Sequence, residues 1–67
     1  MNYIWLTYLN DEARKCSNIF VGIDDDFDTI PEYKNAAAEK LAKTINVSPD
    51  KIHVIDYKFL GDDLVVI

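Results

Sequence analysis

The chain opens on a mostly apolar, strand-like run, switches to a helical period in its middle, and returns to a strand-like run near its end. Residues 2–9 (NYIWLTYL) are aromatic and β-branched, with no Gly or Pro, and predict a strand. Tyr3, Trp5, Thr7 and Leu9 fall on one face, Ile4, Leu6 and Tyr8 on the other. Both faces are largely apolar, which points to a central strand. Residues 10–15 (NDEARK) form a charged connector of hairpin length. Residues 18–23 (NIFVGI) predict a second strand, with Ile19, Val21 and Ile23 on one face and Gly22 marking a bulge or a close backbone approach.

The helical stretch is the best-defined part of the chain. Thr29 and Glu32 have capping-box spacing, and Pro31 sits in the first turn, where its missing N–H has no helical partner to lose. Ile30, Tyr33, Ala37, Leu41 and Ile45 recur at spacings of three and four, with Ala38 and Ala42 beside them. Glu32, Asn35, Glu39, Lys40 and Lys43 occupy the opposite face, and Glu39–Lys43 has the favourable order for an i,i+4 pair. Asn46 suits a left-handed stop, and Pro49 prevents continuation.

Residues 51–60 (KIHVIDYKFL) predict a third strand. Strict alternation puts Ile52, Val54, Asp56 and Lys58 on one face and His53, Ile55, Tyr57 and Phe59 on the other. Gly61-Asp62 suits a tight turn, and residues 64–67 (LVVI) would return as a short fourth strand. The expected architecture is an α+β two-layer sandwich, β-β-α-β-β, with one helix on a mostly antiparallel sheet of order 2-1-3-4. A β-β-α-β chain with an irregular tail is the competing reading. One helix covers one sheet face, so some of Tyr3, Trp5, Tyr57 and Phe59 should lie on the uncovered one, where Tyr and Trp are favoured interface residues.

Length and charge narrow the function classes. Sixty-seven residues make one small domain, expected to span the whole chain. The single cysteine, Cys16, cannot form an internal disulfide, and the opening residues lack the basic region of a secretory leader, so a reducing, cytoplasmic setting is expected. No stretch approaches the roughly 20 apolar residues of a membrane span. The net charge of −5 repels nucleic-acid phosphates and favours a protein partner with a basic surface.

The densest charge cluster is Asp24, Asp25, Asp26 and Asp28. Asp24, Asp26 and Asp28 have the D-x-D-x-D spacing that opens an EF-hand loop, but the sixth position is Thr29 rather than Gly, the twelfth is Asn35 rather than Glu, and no helix precedes them. Acidic side chains here also suit the positive end of the helix. Asp62 and Asp63 add charge at the last predicted turn; with strands two and four at opposite edges, the two acidic turns are not obviously adjacent. His53 is the lone histidine, without a second His or Cys at ligand spacing, and reads as a half-buried sheet residue. Cys16 follows Arg14 and Lys15, and nothing in the spacing supports a Cys16–His53 dyad. There is no phosphate-cradling glycine loop and no cofactor motif, so neither an enzyme nor a cofactor is expected.

In size, acidity and compactness the chain resembles small phage-encoded inhibitors of bacterial defence or host enzymes, including anti-CRISPR proteins. That resemblance implies a module that fills a basic groove made for nucleic acid, with Asp24, Asp25, Asp26, Asp28, Asp62 and Asp63 standing in for phosphates; Trp5 and Tyr57, on the sheet, are separate candidates for partner contact. Two other classes compete: a self-associating module that dimerises through the open sheet face or an edge strand, and a calcium-dependent module centred on Asp24, Asp26 and Asp28.

Overall fold

The computed structural model describes residues 1–61. Strand β1 (Asn2–Asn10) pairs antiparallel with β2 (Lys15–Ile23) on one side and with β3 (Ile52–Gly61) on the other, giving the order β2-β1-β3. The helix α1 (Ile30–Thr44) crosses one face and returns the chain to the far side of β1 through a short 3-10 turn, Pro49–Lys51. This is the expected α+β layering. The predicted fourth strand, residues 64–67, lies outside the described residues, as do Asp62 and Asp63.

Strand β1 is central because both of its faces are apolar. Ile4, Leu6 and Tyr8 are buried under the helix, while Tyr3, Trp5, Thr7 and Leu9 lie half-buried on the other face. The helix presents Tyr33, Ala37, Leu41 and Ala42, all buried. Ala37 and Ala42 are fully covered, and their small side chains let the helix axis approach the sheet. Ile4, Leu6 and Leu41 are the largest fully buried side chains and mark the core's centre. Glu32, Asn35, Glu39, Lys40 and Lys43 are exposed, as the pattern predicted.

Asn46 ends the helix as expected, with φ 57. The Val47 N–H reaches the Ala42 carbonyl at 2.9 Å and the Asn46 N–H the Lys43 carbonyl at 3.3 Å, the paired bonds of a Schellman stop. The helix start departs from the expected capping box. Thr29 is the N-cap, but its hydroxyl donates to the Glu32 carboxylate at 3.1 Å, and no side chain caps a backbone N–H. Glu39 and Lys43 also do not pair: among the described residues the ion pair within 4.0 Å is His53–Asp11.

Strand β2 starts at Lys15, earlier than the apolar pattern indicates. Residues 15–18 are polar and exposed, so no burial period marks them; ladder bonds to the end of β1 extend the strand. The hairpin turn is shaped by Asn10, whose side-chain oxygen accepts the N–H groups of Glu12 at 3.1 Å and Ala13 at 3.3 Å, and by Arg14 in the left-handed region at φ 54.

The largest correction concerns β3. Its register against β1 shifts between Thr7 and Tyr8 and again between Tyr3 and Ile4. Val54 faces Tyr8, but Asp56 faces Thr7, so Ile55 is an extra residue in the strand. Directly opposed residues share a face, so the alternation inverts past Ile55. Tyr57 opposes Leu6 and Phe59 opposes Ile4, which puts both on the helix side with Ile52 and Val54. Asp56 and Lys58, opposite Thr7 and Trp5, move to the open face. A strictly alternating strand would have buried Asp56 and Lys58 under the helix. The bulge instead lets β3 give the helix an apolar residue along its whole length. The tilted contact of Tyr33 and Phe59, with ring centroids 4.8 Å apart, is its direct consequence.

Candidate functional site

The loop from Asp24 to Thr29 joins β2 to α1 at the end of the sheet where β1 begins. Asp24, Asp25, Asp26 and Asp28 are all exposed. Between them Phe27 turns inward and packs against the core. Its ring meets Tyr33 edge-on, with centroids 5.1 Å apart and planes at 85°. The buried Tyr33 hydroxyl accepts the Phe27 N–H at 3.0 Å and the Asn2 side-chain amide at 3.2 Å. The same Asn2 amide reaches the Asp26 carboxylate at 3.4 Å. One apolar residue and one phenol thus hold the loop from beneath, and the carboxylates project outward.

Asp24 and Asp25 border a cleft of about 340 Å³. Its floor is Ile23, Phe27 and Ala36, and Lys40 and Lys43 form the opposite rim. The Lys40 amine donates to the Gly22 carbonyl, which fixes it at the β2 edge rather than on the loop. Among the described residues no three His, Cys, Asp or Glu side chains converge as metal ligands, so Asp24, Asp26 and Asp28 do not gather round a common point.

Strand β3 ends at Gly61, at the same end of the sheet. Gly22 and Gly61 both oppose Tyr3, from either side of β1, so the two glycines are separated by two strand spacings, about 9–10 Å. Ile23 and Gly61 thus lie at the same end of the sheet, on opposite edges with β1 between them. Gly61 takes φ 67, a left-handed conformation that glycine adopts without steric cost. Asp62 and Asp63 themselves lie outside the described residues.

The open face is built on the row Tyr3, Trp5, Thr7 and Leu9. Trp5 and the opposed Phe20 form a tilted aromatic pair with centroids 4.3 Å apart, and Phe20 remains 54% exposed. The Thr7 hydroxyl donates to the Asn18 side chain at 2.8 Å, closing the polar half of this face. At Gly22 a side chain would collide with the Met1 sulfur, so the close approach here is made by the first residue's side chain. Tyr57 does not join Trp5. It stands on the helix side, 37% exposed, with the Lys34 ammonium 5.9 Å from its ring centroid. Phe20 was not singled out by sequence; its signal is the Trp5–Phe20 cross-strand register, which the hairpin fixes.

His53 is exposed rather than half-buried, and its Nε2 lies 3.7 Å from the Asp11 carboxylate. Leu9 separates it from Cys16: both oppose Leu9 from the two sides of β1, so imidazole and thiol do not form a dyad. The Asp50 carboxyl is held below its ordinary range by the Ser48 hydroxyl that donates to it. Comparison with protein-family models, with curated proteins and with solved structures finds no match.

Proposed function

We propose that this protein is a non-enzymatic binding module whose acidic end docks on a basic surface of a partner protein. The observation that supports the reading most directly is the loop itself. Its carboxylates are exposed, no cation of the described residues lies within ion-pair distance of them, and Phe27 and Tyr33 anchor the backbone beneath. Crowded like charges cost the free fold stability, and a Lys- or Arg-rich partner relieves that cost while gaining charge-assisted hydrogen bonds. Asp62 and Asp63, next after Gly61 in the sequence, add to the acidic charge in this reading. A groove made for nucleic acid is the basic surface such an array fits, which gives the module the role of an inhibitor in the style of the anti-CRISPR proteins. Trp5 and Phe20 on the open face supply an aromatic contact beside it; Tyr57 contributes only where a partner also reaches the helix side. A reducing, cytoplasmic compartment suits the exposed Cys16.

The test is affinity capture from one host lysate with the wild-type chain and with the triple variant Asp25→Asn, Asp26→Asn, Asp28→Asn, at low and at high salt. A protein retained by the wild type at low salt, released at high salt and lost with the triple variant supports the reading. A captured protein that both chains retain equally, or no salt-sensitive capture at all, contradicts it.

A further inference from the structure

The outer edge of β2 is a second surface, independent of the acidic end. Among the described residues no strand pairs with it. Residues 16–23 contain no charge and no proline; the charged group that reaches this edge is the flexible Lys40 ammonium on the Gly22 carbonyl, which swings aside when a strand is added there. Within the strand's own sequence, charge sits at the ends: Lys15 at one, Asp24, Asp25 and Asp26 just beyond the other. A groove of about 150 Å³ runs along the margin between this edge and α1, lined by Ile19, Val21 and Leu41 among others. Phe20, 54% exposed, stands at the middle of the strand on the open face.

We propose that this edge pairs antiparallel with the same edge of a second copy, centred on Phe20. A two-fold axis perpendicular to the sheet is the operation that joins two identical edges in antiparallel fashion, and it keeps both helices on one side. Helix-side residues then oppose helix-side residues, so the axis passes through a residue rather than between two. Centring on Phe20 sets the two Phe20 rings against each other and extends the aromatic row from Trp5 of one copy to Trp5 of the next. Ile19 opposes Val21, and Asn18 opposes Gly22. Four residues beyond Phe20, Cys16 comes opposite Asp24. Lys15 then reaches the Asp24–Asp26 carboxylates of the other copy, and symmetry repeats the contact at the far end. The result is one six-stranded sheet, β3-β1-β2-β2-β1-β3. The net charge of −5 makes two copies repel through most of their surfaces, and this edge, free of acidic side chains from residue 16 to residue 23 and with a cation set against anions, is where that repulsion is least.

The experiment is sedimentation equilibrium of the full chain over a wide concentration range, with no other protein present, so its outcome does not depend on the acidic-end reading. The expected result is a concentration-dependent dimer. Lys15→Glu weakens it about tenfold, the scale of exchanging a favourable cross-strand pair for a repulsive one twice over. Adding Asp25→Lys to Lys15→Glu restores the dimer. Phe20→Lys abolishes it while circular dichroism shows the fold intact; if that variant does not fold, the Lys15 and Asp25 exchange decides alone. A chain that is monomeric at every concentration, or a dimer indifferent to the charge exchange, overturns the proposal.

Discussion

The Tyr33 hydroxyl accepts the backbone N–H of Phe27 at 3.0 Å while the two rings pack edge-on, so one side chain of α1 fixes the loop that carries four exposed aspartates. Its second partner, the Asn2 amide at 3.2 Å, ties the same point to the first residue of β1. Helix, loop and central strand meet at one oxygen.

Tyr33→Phe keeps the ring contacts and removes that acceptor. The variant is expected to lose about 1–2 kcal/mol in urea denaturation, because a part-buried N–H loses its partner. Amide exchange at Phe27 accelerates more than at Leu41. Equal exchange at Phe27 in both proteins would show that the phenol does not hold the loop.

Leu41→Ala is expected to cost about 2–5 kcal/mol, since Leu41 is 1% exposed at the centre of the helix–sheet contact. Thr29→Ala is expected to cost less than the roughly 1 kcal/mol typical of a lost N-cap, because the Thr29 hydroxyl bonds the exposed Glu32 carboxylate and no backbone N–H. Thermal melts of the two variants check the order; a larger loss at Thr29 would contradict the observed helix start.

Much of this fold is legible in the sequence, for identifiable reasons. The stripe from Tyr33 to Leu41 and the stop at Asn46 follow from local chemistry that tertiary structure left unchanged. The β1 alternation survives because the strand is paired on both sides. Strand β3 misleads because Ile55 is apolar: it continues the alternation of His53, Tyr57 and Phe59 and conceals the extra residue. What decides its register is the cost of burying Asp56 and Lys58 under the helix, a tertiary term that no local pattern contains. The acidic loop is visible in sequence as charge alone. Its anchoring by Tyr33 and its position at the same sheet end as Gly61 depend on pairings far apart along the chain.

Ser48 donates to Asp50 and holds its carboxyl below the usual range. A carboxyl lowered in the folded state contributes stability above its unfolded value, and that contribution fades as pH falls through the folded value. Both residues are exposed, so the effect on stability is small. Ser48→Ala is expected to move the Asp50 titration upward toward the ordinary aspartate range, as followed by NMR of its side-chain carboxyl. An unchanged titration would assign the shift to another group.

In the function proposed above, the exposed aspartates of the β2–α1 loop steer a basic partner onto this protein. Association and dissociation rates of the captured partner, measured for the wild type and for Asp25→Asn, Asp26→Asn, Asp28→Asn at two salt concentrations, test it most directly. The account predicts an intact or slightly stabilised triple variant that associates more slowly than the wild type at low salt, with a flatter salt dependence and a smaller change in dissociation. An unchanged association rate with an unchanged salt slope would contradict it and place binding on the open face around Trp5 and Phe20.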